Sequence, residues 1–186
     1  MKTYQYIQIL STLVWLIVPF VRTRSKHFYF FLFLGLNDLI GLFLWYGFGL
    51  SSQTFWIPVL YLTTVSIDRN FLTKNLMRIF IGFILMLILN YYSTTYFQYI
   101  FSLLSDIIIL IVFARYLFWE FIQNDKVSLF YIVMTFYSLF AVSKSILMVS
   151  NISLGINAFY VGTILEIVIG LFLIFMRRDV KFSLNL

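Results

Sequence analysis

Long apolar segments separated by short polar breaks run along the whole chain. Seven segments can be drawn, over residues 4–21, 28–50, 54–67, 76–92, 96–118, 127–149 and 158–176. A helix needs about 20 apolar residues to cross a bilayer, and most of these segments approach that length. The pattern predicts an all-α membrane protein with seven transmembrane helices, built as a single domain over residues 1–186.

The positive charges are concentrated in every second break. Eleven of the thirteen Lys and Arg residues lie in or beside the breaks after the first, third and fifth segments, or after the seventh. The intervening breaks are uncharged, and the positive-inside rule assigns cation-rich breaks to the cytoplasm. We therefore expect an external N-terminus and a cytoplasmic C-terminus. A bacterial inner membrane is the most economical location for a cysteine-free chain with such short loops.

Composition excludes several classes of protein. The chain is 62% hydrophobic and only 11% charged, and a water-soluble domain of this size could not cover so much apolar surface. The absence of cysteine rules out disulfides, thiol catalysis and thiolate metal sites. The formal charge of +6 is spread over several loops, which indicates anionic lipid headgroups on the cytoplasmic side as partner rather than nucleic acid.

Four ionisable residues interrupt the apolar segments. Asp38, Asp106, Lys144 and Glu166 lie in the second, fifth, sixth and seventh segments. A charge at the bilayer centre costs at least about 2.5–3.5 kcal/mol, so such residues normally face the helix-bundle interior and have partners. Helical rise places the three carboxyl groups near the midplane and Lys144 roughly two turns above them. From there Lys144 either reaches a carboxyl group or extends to the external interface.

Two amides, Asn37 and Asn90, are expected to belong to the same polar cluster. Three interpretations of the cluster stay open, namely a structural ion pair, a proton-linked switch and a site for a solute or ion. No nucleophile, phosphate-binding or metal-ligand motif occurs in the chain. We therefore predict no catalytic residue, metal or cofactor, although an intramembrane lipid enzyme and an assembly subunit remain alternatives.

A compact basic loop follows the first segment. It contains Arg22, Arg24 and Lys26, and the tail adds Arg177 and Arg178. We expect these cations to contact lipid headgroups or a cytoplasmic partner protein. The only histidine, His27, adjoins the loop and is expected to be a headgroup contact.

The last segment carries a resemblance to a known family. Gly162 stands four residues before Glu166, and an apolar run then leads to Arg177 and Arg178. This pattern resembles the closing helix of bacterial seven-transmembrane receptors that carry diverse intracellular signalling modules. The basic and aromatic residues 24–29 are similar to their first loop. The resemblance implies a sensory or signal-relay protein that acts here through a separate cytoplasmic signalling protein.

Weak internal similarity favours a second hypothesis. Residues 5–7 and 98–100 both read Gln-Tyr-Ile, and residues 55–57 are similar to residues 159–161. The offsets of the two matches are 93 and 104 residues, and if they mark parallel repeats they predict a three-plus-one-plus-three arrangement of the helices. A three-plus-one-plus-three helix arrangement resembles that of small sugar transporters of the SWEET type. The alternative function is therefore a small-solute or proton-coupled transporter.

Overall fold

The computed structural model of the chain describes residues 3–49, 55–124, 126–152, 155–176 and 181–183. Its elements, in chain order, are α1 (Thr3–Val21), α2 (Phe28–Phe48), α3 (Trp56–Val65), α4 (Arg69–Lys74), α5 (Leu76–Tyr92), α6 (Thr95–Asn124), β1 (Lys126–Ser128), α7 (Leu129–Val149), α8 (Gly155–Phe175) and β2 (Lys181–Ser183).

The predicted all-α fold is confirmed, and two of the predicted helices differ clearly in length from their segments. Helix α6 has 30 residues and continues to Asn124, beyond the predicted end at residue 118. The apolar run ends at residue 118, but residues 119–124 contain neither Pro nor Gly, so the helix continues through them. Helix α3 has only 10 residues and is shorter than the predicted segment 54–67.

Three short elements were not predicted. Helix α4 begins after Asp68, whose side chain accepts a hydrogen bond from the backbone N–H of Asn70 at 2.8 Å. Strands β1 and β2 pair antiparallel, with Val127 opposite Phe182. Strands of three residues are too short to leave an alternating pattern in the sequence, and their pairing depends on the tertiary fold.

Six helices form a closed ring. Helix α1 packs against α2 and α8, α2 packs against α3, α3 packs against α6, and α6 packs extensively against α7. Helices α7 and α8 close the ring through a much smaller contact. Helix α5 packs on α3 outside the ring. The ring therefore contains two tightly packed pairs, α1 with α8 and α6 with α7, joined weakly between α7 and α8.

Glycine allows the close approach of α1 to its two neighbours. A Cβ atom at Gly35 of α2 would lie 2.8 Å from the backbone oxygen of Trp15, and one at Gly170 of α8 would lie 2.5 Å from Cγ1 of Val14. Both distances are shorter than van der Waals contact. A side chain at either position would push α1 away from the neighbouring helix.

One end of the ring gathers most of the cationic connections, and we call it the basic end. It comprises residues 22–27, residues 66–75 with α4, and strands β1 and β2. The backbone N–H of Arg69 donates to the carbonyl of Lys26 at 2.9 Å, which joins the first two of these connections. The predicted cation-rich breaks therefore lie side by side, as far as the structure describes them.

The helices and their outer surfaces are apolar enough for a membrane. Three helical stretches, Phe28–Phe48, Thr95–Gln123 and Leu129–Val149, are long and apolar enough to span one, and shorter apolar helices accompany them. Large hydrophobic side chains are exposed on α5, including Met77, which is 73% exposed. Exposed apolar surface of this extent is typical of contact with lipid. The fold is thus compatible with an integral membrane protein.

Candidate functional site

A cavity of about 180 Å³ lies inside the ring, toward the end opposite the basic end. All six ring helices contribute to its lining, which includes Trp56 at the start of α3 and Met148 near the end of α7. The four ionisable residues selected from the sequence all line it: Asp38, Asp106, Lys144 and Glu166. Three carboxyl groups thus share one small space with a single ammonium group.

Lys144 and Glu166 form an ion pair across α7 and α8. The Lys144 Nζ atom donates to Glu166 Oε1 at 3.4 Å. The Lys144 side chain is 44% exposed, whereas that of Glu166 is only 20% exposed. Of the two orientations expected for Lys144, the structure shows the one directed at a carboxyl group. This ion pair bridges the two ring helices that otherwise contact each other least.

Asp106 belongs to a second polar link, between α6 and α7. The Ser145 hydroxyl donates to Asp106 Oδ2 at 2.6 Å. The Ser145 hydroxyl oxygen also lies 3.3 Å from that of Ser102, one turn before Asp106. All three groups line the cavity, and both serines are buried. The link therefore adds hydrogen bonds to helices that already pack extensively.

Helix α2 contributes Asp38 and Asn37 to the cavity wall. Within the described residues Asp38 makes no hydrogen bond, although it lies near enough to Lys144 and Glu166 to interact with both electrostatically. Its carboxyl group is therefore the one in the cavity that no hydrogen bond to a neighbouring helix engages. This makes Asp38 the most available acidic group for a bound cation or proton.

Asn90, expected in the same cluster, lies elsewhere. Its side-chain oxygen accepts a hydrogen bond from the backbone N–H of Ile57 at 3.1 Å, and the residue is buried. The amide satisfies one of the otherwise unpaired N–H groups in the first turn of α3. The position of Asn90 along its segment did not reveal this contact with α3, because the sequence does not show that α5 packs outside the ring.

Sequence reasoning missed other cavity residues, Ser102 and Tyr137 among them. Helical spacing contained a signal for both. Ser102 lies four residues before Asp106, and Tyr137 lies seven residues before Lys144, so each shares a helix face with a residue that was selected. Tyr137 also packs against Trp15 of α1, with ring centroids 5.1 Å apart.

The cations of the basic end have specific contacts. Arg22 donates from Nε to the Leu173 carbonyl at 3.1 Å and from Nη2 to the Met176 carbonyl at 2.8 Å, and so binds the end of α8. Lys26 Nζ lies 3.6 Å from the ring centroid of Tyr116. Arg24 is exposed. Arg177 and Arg178, selected with them, lie outside the described residues.

His27 is buried, so the expectation of a headgroup contact is wrong. Its Nδ1 donates to the Ile67 carbonyl at 2.6 Å, and Nε2 lies 3.5 Å from the Tyr131 hydroxyl. A carbonyl can only accept, so the proton is on Nδ1 and Nε2 accepts from Tyr131. Burial lowers the pKa of His27 to about 4, which keeps the ring neutral at pH 7. The residue joins the α1–α2 turn to the end of α3.

Among the described residues no group of three His, Asp or Glu side chains is arranged to hold a metal ion. Comparison of the chain with protein-family models, with curated proteins and with solved structures finds no match. The cavity and the basic end are therefore interpreted from their own geometry.

Proposed function

We propose that the protein spans a bacterial inner membrane seven times and acts as a sensory or signal-relay component, with a separate cytoplasmic protein as its output. The spans are α1, α2, α3, α5, α6, α7 and α8, and the basic end faces the cytoplasm. The clustering of cations at that end supports this orientation. The likeness of α8 to the last helix of bacterial seven-transmembrane receptors supports the class.

Helix α3 needs a separate argument, since its 10 residues rise only about 15 Å against a hydrocarbon thickness of about 30 Å. Contacts near its two ends favour a crossing nevertheless. The Ile67 carbonyl accepts from His27 at the basic end, and the Ile57 N–H donates to Asn90 near the far end of α5. Since α3 packs against α2, α5 and α6, protein rather than lipid surrounds it, and non-helical backbone at membrane depth is tolerated in such surroundings.

The ion pair between Lys144 and Glu166 is the observation that carries the proposal. It bridges the weakest contact of the ring, inside a cavity that holds two further carboxyl groups. A small cation, or protons, entering the cavity would compete with Lys144 for Glu166. Loss of the pair would free α8 from α7 and shift the cytoplasmic end of α8. That movement is the signal that a partner bound at Arg177 and Arg178 would detect.

Affinity purification after cross-linking in the native host tests the proposal. We expect a regulatory protein, such as a kinase, at stoichiometric amounts in the mass spectrum of the purified complex. The double variant Arg177→Glu/Arg178→Glu should lose it, whereas the matched control Lys74→Glu/Arg78→Glu should keep it. Solute uptake that depends strongly on this protein alone would contradict the signalling role.

Transport is the second candidate, and the order of packing in the ring favours it. Helix α1 contacts α2 and α2 contacts α3, and in the same way α6 contacts α7 and α7 contacts α8, while α5 lies outside the ring. Under this hypothesis Lys144 and Glu166 exchange partners as access alternates. Proteoliposomes should then show flux of a small solute or of protons, and that flux should be lost in Glu166→Gln. Absence of flux across a broad panel of solutes would exclude it.

A further inference from the structure

The cavity of about 180 Å³ inside the ring, here called the central cavity, has polar side chains in its wall that lack hydrogen bonds. Among the residues that the structure describes, the side chains of Asn37 and Asp38 make none, and neither does the Tyr137 hydroxyl. Tyr137 lies near enough to Asp38 to interact with it electrostatically. Polar groups in a protein interior are normally satisfied by water or by a bound molecule when no other side chain does so. The central cavity therefore offers unoccupied hydrogen-bonding groups to a polar molecule.

The wall of the central cavity holds more carboxyl than ammonium groups. Its three carboxyl groups share the single ammonium group of Lys144, which pairs with Glu166. In the described part of the chain, Asp38 and Asp106 form no ion pair. A cavity lined mainly by groups of one charge concentrates ions of the opposite charge. The wall therefore favours a positively charged occupant.

The undescribed residues at this end of the ring do not reverse that balance. They are residues 1–2, 50–54 and 153–154, and Lys2 is the one Lys or Arg among them. Even with Lys2 counted, carboxyl groups outnumber ammonium side chains. The other undescribed cations, in residues 177–186, follow the opposite end of α8. The surplus of carboxyl groups thus does not depend on how these segments lie.

Aromatic rings form much of the remaining wall. They belong to Trp15 of α1, Trp56 of α3, and Tyr137 and Phe140 of α7. Trp15 and Tyr137 pack together, with ring centroids 5.1 Å apart. The face of an aromatic ring attracts organic ammonium ions, and such rings are a common feature of sites that bind them. A hard metal ion needs a shell of oxygen ligands instead, and the described residues hold no group of three ligating side chains. The wall therefore fits an organic cation better than a metal ion.

The volume of the central cavity limits its occupant to a small molecule. An engineered apolar cavity of about 150 Å³ holds benzene, and drug-sized ligands need about 300 Å³ or more. At about 180 Å³ the central cavity is much nearer to the first value. A primary ammonium group has three N–H donors, and Asp38, Asn37 and Tyr137 each present an oxygen that accepts hydrogen bonds.

We propose that the central cavity binds a small primary amine in its protonated form. Its ammonium group pairs with Asp38, and its alkyl part lies against the aromatic rings. The head group is the same as that of a lysine side chain, so the amine also competes with Lys144 for Glu166. This proposal rests on the proposed function only in making the amine the signal, because binding itself requires neither a partner protein nor transport.

Isothermal titration calorimetry of the full chain tests the proposal, in an uncharged maltoside detergent and an amine-free buffer. The probes are the chloride salts of the series from methylammonium to butylammonium. The control 1-butanol has as many non-hydrogen atoms as butylammonium and no charge. We expect saturable binding of one butylammonium per chain and no binding of 1-butanol at the same concentrations. Sodium chloride of equal ionic strength should not displace butylammonium, because the effect is not one of screening.

Asp38→Asn is the matching variant, since it removes the charge, keeps the shape and breaks no hydrogen bond of the described residues. It should weaken the binding of butylammonium about 10- to 100-fold, the range for loss of a hydrogen bond to a charged group. The control Asp68→Asn changes a carboxyl group at the basic end, outside the central cavity, and Asn caps a helix as well as Asp does. It should bind butylammonium as the wild type does. Thermal melting followed by circular dichroism verifies that both variants fold.

Equal binding of butylammonium and 1-butanol by the wild type would mean an apolar site without charge selection and would overturn the proposal, even if Asp38→Asn failed to fold. Absence of saturable binding across the amine series, displacement of butylammonium by sodium, or unchanged affinity in Asp38→Asn would overturn it as well. Amine binding without a co-purified regulatory protein would support this proposal and count against the signalling role. A co-purified regulatory protein without amine binding would do the reverse.

Discussion

Replacing Lys144 by Met tests the link between α7 and α8 most directly. The change removes the ammonium group from the pair with Glu166, in which Nζ and Oε1 are 3.4 Å apart, and keeps a long apolar side chain. At this distance the attraction is about 5 kcal/mol at an effective dielectric constant of about 20. Lys144 is 44% exposed, so solvent screening and the cost of desolvation offset most of that gain.

We expect Lys144→Met to lower the free energy of unfolding by about 1–2 kcal/mol, between the values typical of exposed and of fully buried pairs. The assay is equilibrium unfolding in mixed detergent micelles, followed by helical circular dichroism. A double-mutant cycle with Glu166→Gln isolates the pair from the other contacts of each side chain. Ser143→Ala is the matched control on α7, because the Ser143 hydroxyl bonds the Leu139 carbonyl of its own helix.

The cycle should give a coupling free energy of about 1 kcal/mol or more, and the double variant should be less unstable than the sum of the single changes. A coupling indistinguishable from zero would refute the role of this pair in joining α7 to α8. A loss of stability in Ser143→Ala as large as that in Lys144→Met would show that α7 is sensitive to any polar change.

Three further predictions concern the fold. Burial lowers the pKa of His27 to about 4 from an ordinary value of about 6.5. The neutral ring therefore makes its full contribution to the free energy of unfolding above pH 6.5, and roughly 3 kcal/mol is lost as the pH falls from 6.5 to 4. Unfolding measured against pH should show this slope, and His27→Gln should flatten it. Gly35→Ala should destabilise the protein by about 1–3 kcal/mol, because the new Cβ would clash with the backbone of α1. The control Gly47→Ala should be neutral or slightly stabilising, because no atom lies closer than 3.9 Å to its new Cβ. Thermal melting followed by circular dichroism measures both effects. Asn90→Ala should cost about 1–3 kcal/mol by leaving the buried Ile57 N–H without its acceptor, and faster hydrogen exchange at Ile57 would confirm the cause.

Helix positions could be predicted from the sequence because apolar runs of this length have few other structures available. Selection of Asp38, Asp106, Lys144 and Glu166 followed from one physical rule, that a charge in an apolar segment needs a partner. Their common location in one cavity agrees with that rule. The functional role of the cluster stays a prediction.

Side-chain partners could not be predicted, because they depend on which helices are neighbours. Asn90 is an amide like Asn37, yet it lies on α5, which packs outside the ring, and its side-chain oxygen accepts a hydrogen bond from Ile57 of α3 instead. His27 resembles its basic neighbours in sequence, yet the α1–α2 turn directs it inward against the Ile67 carbonyl. Neither outcome leaves a periodic signal in the chain.

The arrangement of packing indicates which parts of the ring would move against each other. Helix α8 packs against α1 closely enough that Gly170 has no room for a Cβ, and Arg22 at the end of α1 binds the last carbonyls of α8. Helix α7 is joined to α6 by extensive packing and by the bond from Ser145 to Asp106. Under the proposed function, α1 with α8 therefore moves as one body and α6 with α7 as the other. Since the Lys144–Glu166 pair lies across the boundary between these two bodies, a ligand that breaks the pair would act on that movement.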